Sequence, residues 1–442
     1  MQIDFAFGKQ GLRLNLPSGF EYRILEPRSG LPLADPVAAI EQALDHPHAG
    51  LPLAELARGR KSAAISVCDI TRPVPNRVTL PQILRRLEQG GIARDSVTIL
   101  IATGLHRAAT DAEIREIVGD DIAATVRVVN HYARALSEHR SLGRTASGTP
   151  VYVDERFVAA DLHLTLGFIE PHLMLGYSGG RKLIAPGLAA QETIKALHSS
   201  RFMRDPRSCE GSIAQNPLHR ELLEIAALAR HDFLLDVTLG AGKPGERPIT
   251  GVFAGEPVKA HASGVKWISG VMLETVEEPV DAVITTSAGY PLVLTYYQAI
   301  KGVTAAQHIV RDGGTILLLA QCAEGAGAAE FTRMFTTMGD REFMRSIENT
   351  PVEIDQWQLE KLAMVTGRLK VLWYVPGVPQ EMQSKIWGRT FASAEEATAE
   401  LFSSLMPGAR VAVVPEGPYV LALVGQTSVC PGAQPTTAPR RN

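Results

Sequence analysis

Three short segments of this chain concentrate residues able to bind anions or move protons. The first, Asp69-Ile70-Thr71-Arg72-Pro73-Val74-Pro75, holds an arginine between an acid and two prolines. A guanidinium on so stiff a loop suits a planar carboxylate or a phosphate; a salt bridge between Asp69 and Arg72 is the plain structural alternative. The second, Thr103-Gly104-Leu105-His106-Arg107, sets a histidine four residues past an apolar run. There it can act as acid or base near neutral pH, or simply sit in a surface loop. The third and richest runs from Glu170-Pro171-His172 through Gly176-Tyr177-Ser178-Gly179-Gly180-Arg181-Lys182 to Ala185-Pro186-Gly187. It is no P-loop, because Arg181 stands where that motif needs Gly and Leu183 where it needs Ser or Thr. Its three glycines still let backbone amides approach a phosphate, with Ser178 and Arg181 adding donors. Lys182, beside a bound anion or electrophile, is then placed to act as a nucleophile. Sixteen residues on comes His198, whose helix also carries Ile194 and Leu197; a helix-end histidine facing the C-terminal dipole is its alternative.

In the second half, Tyr296-Tyr297-Gln298-Ala299-Ile300-Lys301 reads as a helix with Tyr297 and Lys301 on one face and Gln298 adjacent. Such a face presents a hydroxyl, an amide and a cation to a small polar acid, or else a half-buried Tyr covered by a lysine stem. Trp357, between Gln356 and Gln358, is a core or interface residue or a pocket wall. Two glycine-rich stretches are decoys. Gly240-Ala241-Gly242-Lys243-Pro244-Gly245 matches the dinucleotide fingerprint in letters, but Pro244 and Pro248 block the helix that must open there, so it reads as a turn. Gly325-Ala326-Gly327-Ala328-Ala329-Glu330 carries Glu where the third Gly belongs. A Rossmann-type NAD site is not expected.

The elements that must hold these residues are strand-sized apolar runs, each followed by a polar loop and a helical pattern. Ala63 to Val67, Val97 to Ala102 and Leu162 to Leu166 lead into the three segments, with helices over Leu80 to Gln89 and Asp111 to Val118. Buried strands alternating with helices indicate an α/β fold with largely parallel sheets. A second set follows at Ala282 to Thr286, Thr315 to Ala320, Lys370 to Tyr374 and Arg410 to Val414. Between the sets the sequence predicts a turn-rich stretch from Gly240 to Gly255, then a helix from Pro257 to about Ile268. The expected division is an N-terminal domain over 1–270, a C-terminal domain over 271–425 and a disordered Pro-rich tail over 426–442.

Composition limits the partners. A net charge of −3 gives no basic excess for nucleic acid, and no apolar run approaches the ~20 residues a membrane span needs. Cys68, Cys209, Cys322 and Cys430 are too scattered for a zinc cluster or a disulfide framework, and Met1-Gln2-Ile3-Asp4 lacks a secretory pattern. The expected setting is cytoplasmic.

Taken in order, these segments resemble the nickel-dependent lactate racemase family over nearly the whole chain, from about Ala64 to Val424. The likeness rests on Asp69-Ile70-Thr71-Arg72-Pro73, Gly104-Leu105-His106-Arg107, and Glu170-Pro171-His172 leading into Gly176 to Lys182. His198, Gly255-Glu256-Pro257, Tyr297 to Lys301 and Gln356-Trp357-Gln358 follow in the family's order. The resemblance implies a nickel-pincer nucleotide, a nicotinate-derived mononucleotide holding square-planar nickel through two sulfurs and a carbon. It implies Lys182 joined to that cofactor by a thioamide and His198 as the remaining nickel ligand. Asp69, Thr71, Arg72, Gly104, Tyr177, Ser178, Gly179, Gly180 and Arg181 would surround the cofactor. His106 and His172 would be the two acid/base residues, and Arg72 the carboxylate clamp. Tyr297, Gln298 and Lys301 would close over the substrate from the second domain, with Trp357 lining the site in an interdomain cleft.

The implied reaction inverts a small 2-hydroxy acid by hydride removal coupled to hydroxyl proton transfer, through a planar 2-oxo acid. Lactate, malate, 2-hydroxyglutarate, an aryl hydroxy acid and a sugar acid all remain open as substrates. The resemblance also implies cofactor-biosynthesis proteins as loading partners. Two other classes compete. A cofactor carrier would need Lys182 and His198 but has no use for two bases and a clamp. A hydrolase with a histidine-bound metal lacks any HExxH or clustered carboxylates.

Overall fold

The computed structural model describes residues 1–28, 30–240, 242, 247–348 and 350–425. The expected tail and most of the Gly240–Gly245 turn lie outside them. The described chain forms two compact units. One, the lysine unit, comprises the stretches up to Leu197 and Gln215–Val271; the other, the tryptophan unit, comprises Met1–Arg28, His198–Ala214 and the chain from Met272 onward.

A six-stranded sheet forms the centre of the lysine unit, in the order Ile249–Gly255, Phe233–Leu239, Leu162–Phe168, Ala63–Cys68, Val97–Ala102, Arg127–Asn130. All neighbours are parallel except the first pair. Every residue of Leu162–Phe168 is buried, as a central strand covered on both faces requires. Helix Asn76–Gln89 turns Leu80, Ile83, Leu84 and Leu87 inward at helical spacing, into a core shared with Ile65, Val67, Ile99 and Ile101. Each such side chain contributes roughly 1.5–3 kcal/mol on burial. That helix starts four residues before the expected Leu80, since Pro81 near its start forfeits only one internal hydrogen bond.

The turn-rich expectation for Gly240 to Gly255 is corrected in its second half. Ile249–Gly255 is an edge strand, antiparallel to Phe233–Leu239. Its apolar signal is diluted by Gly251, where a Cβ would lie 3.0 Å from the Phe253 ring.

Strand order reverses between Ala63–Cys68 and Leu162–Phe168. Later strands add beyond Val97–Ala102 on one side and beyond Phe233–Leu239 on the other. Loops leaving the carboxyl ends of strands at such a reversal diverge and open a crevice. The loops that leave these two strands are the Asp69 segment and the Glu170–Lys182 segment.

The tryptophan unit also contains a six-stranded sheet, parallel throughout, in the order Arg389–Thr390, Lys370–Tyr374, Val310–Leu319, Val280–Thr286, Arg410–Val414, Glu21–Ile24. Its last strand comes from the start of the chain. Thus a linear domain boundary near residue 270 coincides with the chain's last entry into this unit at Met272, but residues 1–28 and 198–214 belong to it as well. Glu21–Ile24 is short and mostly exposed, so no apolar run marks it in the sequence. Among the described residues, no helix is long and apolar enough to cross a membrane.

Candidate active site

Strands Ala63–Cys68 and Val97–Ala102 run in register, with Cys68 opposite Ala102, so residues just beyond their ends meet. His106 Nδ1 lies 2.7 Å from Asp69 Oδ2. The other carboxylate oxygen of Asp69 accepts from the Thr71 hydroxyl at 2.5 Å, and that hydroxyl accepts from Arg72 Nη1 at 2.9 Å. Arg72 therefore reaches Asp69 through Thr71. Burial works against the Asp69 charge, but His106, Arg72 and Thr71 outweigh it and hold the carboxyl below the usual range. An ionised Asp69 accepts a hydrogen bond from Nδ1–H, which leaves His106 Nε2 as a proton acceptor.

The turn under His106 is tightly built. The His106 amide donates to Thr103 O at 2.9 Å and the Gly104 amide to Gly187 O at 3.0 Å, with Gly104 at φ +53. Arg107 forks onto Glu113 at 2.7 Å through both terminal nitrogens, and Glu113 closes a capping box with Thr110 at the start of helix Asp111–Val118. The helix end thereby fixes the loop that carries His106.

The glycine segment is organised differently from its sequence reading. Pro171–His172 pairs with Gly176–Tyr177 as a small hairpin, which places His172 opposite Gly176. His172 is buried, with the Met174 amide 3.5 Å from its Nδ1. Ser178 and Arg181 were expected to offer donors to a bound phosphate, and this is corrected. The Ser178 hydroxyl donates to Phe168 O at 2.9 Å and accepts from the Glu170 amide at 3.0 Å, tying the loop to its strand. Arg181 is turned inward, only 2% exposed, and donates to the carbonyls of Leu175, Tyr177, Ser178 and Gly179. The Tyr177 ring is buried too, and burial pushes its hydroxyl up to about 12 despite a bond to Ser269. These three side chains shape the loop from within.

Gly179 and Gly180 sit at φ +87 and +46, in the left-handed region, and a Cβ on Gly179 would fall 2.3 Å from Asp236 Oδ2. The glycines thus make room for a buried carboxylate. Burial pushes Asp236 up to about 7, against the pull of the Gly180 amide and Arg181. Asp236 and His261, whose Nε2 lies 2.7 Å from Arg181 Nη1, were missed in the sequence. The available signal was a lone acid in Phe-Leu-Leu-Asp-Val-Thr-Leu, a strand otherwise apolar but for one Thr. The Gly255-Glu256-Pro257 motif is a helix start: the Glu256 carboxylate accepts from the amides of Val258 and Lys259.

Lys182, in the single turn Gly180–Leu183, keeps a partly exposed side chain. Burial first, then the neighbouring Arg72 and Arg181, lower its amine to about 7, with Glu170 and Cys68 pulling upward. A large fraction of a primary amine in this setting is neutral, and so nucleophilic, at neutral pH.

In the tryptophan unit, His198 directly follows helix Gln191–Leu197. Its imidazole stacks on Trp357, with centroids 4.9 Å apart and planes at 14°. Tyr297 meets Trp357 edge-on at 5.9 Å. Helix Tyr296–Ala306 buries Tyr296 completely while Tyr297 and Lys301 stay partly exposed. The Gln298 carbonyl oxygen accepts from the Leu294 amide at 2.8 Å. The Gly325–Gly327 decoy supports this helix: carbonyls of Gly325 and Ala326 accept from the amides of Tyr296 and Tyr297. The predicted site residues therefore fall in two sets, with Asp69, Thr71, Arg72, Gly104, His106, His172 and the Tyr177–Lys182 loop in one unit. His198, Tyr297, Gln298, Lys301 and Trp357 lie in the other.

Comparison with known proteins gives one answer. Residues 7–211 match the lactate racemase N-terminal domain family and residues 275–422 the lactate racemase C-terminal domain family. A lactate racemase from Thermoanaerobacterium thermosaccharolyticum is 33% identical over 428 residues, 95% of this chain and 98% of that protein. A lactate racemase from Lactiplantibacillus plantarum is 33% identical over 383 residues, 86% of this chain and 89% of that protein. The structure of the T. thermosaccharolyticum lactate racemase apoprotein matches with a TM-score of 0.88 at 32% identity, covering 96% of this chain and all of that one. A crystal structure from Thermotoga maritima, at 16% identity and a TM-score of 0.69, supports the fold alone. With both halves matched and relatives aligned along nearly its full length, this chain belongs to the lactate racemase family.

Proposed function

We propose that this protein is a racemase or epimerase of small 2-hydroxy acids that works with a nickel-pincer nucleotide in the cytoplasm, lactate being the substrate its named relatives suggest. The observation that carries the reading is that the two loops at the strand-order reversal bring a guanidinium and a near-neutral lysine amine together with Asp69, the carboxylate that pairs with His106 from the neighbouring strand. The residues fit the cofactor: Lys182 is a lysine kept nucleophilic on a glycine turn, as acylation by the nucleotide requires. His198 would be the residue of this chain that holds the metal, and the nucleotide would supply the other donors. When bound, the cofactor supplies reversible hydride transfer at C2 of the substrate.

Around it, the chain's own residues bind and move protons. Arg72 clamps the substrate carboxylate, its guanidinium pre-set by Thr71 and the Pro73–Pro75 turn. His106 takes the substrate hydroxyl proton on Nε2, and Asp69 stabilises the imidazolium that results. His172 serves the opposite face, since inversion presents the hydroxyl in two orientations. Gly179, Gly180 and the inward-turned Tyr177, Ser178 and Arg181 fix the backbone on which the cofactor rests; Asp69, Thr71 and Gly104 complete its surroundings. Tyr297, the Gln298 amide, Lys301 and Trp357 contribute to substrate binding. Accessory biosynthesis proteins load the cofactor.

A chiral assay of cofactor-loaded protein against lactate, malate, 2-hydroxyglutarate, aryl hydroxy acids and sugar acids tests the reading. Interconversion of at least one pair is expected. Loaded protein that carries nickel and the Lys182 adduct yet inverts none of them would favour the carrier reading instead.

A further inference from the structure

We propose that Glu360 is a positioning residue for His198, fixing the direction in which its imidazole points. The inference rests on the reading that His198 is the nickel ligand. Trp357, whose ring faces His198, opens helix Gln356–Thr366. One turn along the same helix, Glu360 is fully buried. Its Oε1 accepts from Arg204 Nε at 2.6 Å and its Oε2 from the Ser200 hydroxyl at 3.0 Å. The next residue, Lys361, donates from Nζ to Ser208 O at 3.1 Å. The segment that follows His198 is thus fastened at three successive points to the helix whose tryptophan stacks on the imidazole.

The stack on Trp357 sets the plane of the His198 ring, and the backbone that carries the ring sets where it lies in that plane. Charge-assisted hydrogen bonds are directional, and Glu360 places two of its acceptor positions within six residues of His198. A dry carboxylate is costly, and an apolar residue of similar volume would pack the same space at least as stably. An acid here therefore points to orientation rather than bulk stability. Glu360 acts on the backbone that follows His198, through Ser200 and Arg204, and ring orientation is one of the quantities on which metal retention depends.

The test uses protein loaded with cofactor, Glu360→Gln, Glu360→Met in case the amide variant fails to fold, and Leu401→Ala as a control. Leu401 lies in the core of the same unit and is used to match the loss in Tm. Nickel release to EDTA is followed by metal analysis, and the Lys182 adduct by intact mass. Either Glu360 variant is expected to lose nickel roughly 10- to 100-fold faster with the adduct retained, while Leu401→Ala releases at the wild-type rate. Wild-type release from the folded Glu360 variants, or equal acceleration in Leu401→Ala, overturns the proposal. In cofactor-free protein, the rate of His198 carbethoxylation by diethyl pyrocarbonate, mapped by peptide mass, should rise in the Glu360 variants; an unchanged rate also overturns it. Absence of nickel and adduct from the wild type would reject the functional reading and this inference together. Their presence with unaffected Glu360 variants rejects the positioning role alone.

Discussion

Asp69 and His106, separated by 37 residues, are joined by a 2.7 Å contact between a carboxylate oxygen and Nδ1. The pairing sets the tautomer of the histidine and supplies the negative charge against which it can accept a proton. Asp69→Asn keeps the shape but removes the charge and permits the wrong tautomer. The expected result is a fall in kcat of roughly 10²–10⁴ with little change in KM, read by steady-state racemisation kinetics. Asp69 has a lower pKa folded than unfolded, so its stabilising effect is present above about pH 4 and lost as pH falls through the folded value. Acid unfolding of the Asn variant should lack that contribution.

Lys182 should titrate far below an ordinary lysine. Its amine is lowered to about 7, so modification of cofactor-free protein by an acylating reagent should reach half its limiting rate near pH 7. A half-point near 10, read by peptide mass at Lys182, would refute the near-neutral amine. The sign of the linked stability follows from the same shift. Between the folded value and the unfolded one near 10.4, only the unfolded chain holds the proton, so stability rises with pH across that window. Lys182→Met should flatten the rise, as measured by urea midpoints at about pH 6 and about pH 9.

Gly179→Ala should damage the loop twice. The residue sits at φ +87 and its new Cβ would press on Asp236 at 2.3 Å. A loss of about 1–3 kcal/mol in urea unfolding is expected, together with loss of the Lys182 adduct. Retention of full stability and adduct would show that the turn tolerates a side chain.

The adjacent tyrosines should separate cleanly. The Tyr296 hydroxyl is buried with no hydrogen-bond partner among the described residues, so Tyr296→Phe should leave kinetics intact and hold or raise Tm. Tyr297→Phe should leave Tm alone and raise KM several-fold. Kinetic loss in the first, or none in the second, would reverse the assignment.

The sequence made the strands before the site loops legible because each is a continuous apolar run, and their loops because glycine, proline and charge crowd together there. It could not show which side chains meet. Asp69 and Arg72 looked like a local pair, yet register between two parallel strands delivers His106 to Asp69 and leaves Arg72 to act through Thr71. Ser178 and Arg181 looked like ligand donors because their types suit phosphate; burial directs Arg181 to the loop's own carbonyls and Ser178 to the strand carbonyl of Phe168. Asp236, a single acid in a largely apolar strand, and Glu360, an acid in a helix of mixed polarity, went unnoticed, because such an acid becomes informative only once its burial is known.

The edge strand Glu21–Ile24 pairs with Arg410–Val414, nearly the whole chain away. A ribosome therefore releases the first strand of one sheet long before its neighbour exists, while every strand of the other sheet has emerged by Gly255. The lysine unit can assemble during synthesis, whereas the sheet of the tryptophan unit closes only near the end of translation. Cutting the gene at residue 270 would leave its second fragment without an edge strand and without His198, so a split enzyme needs a different seam.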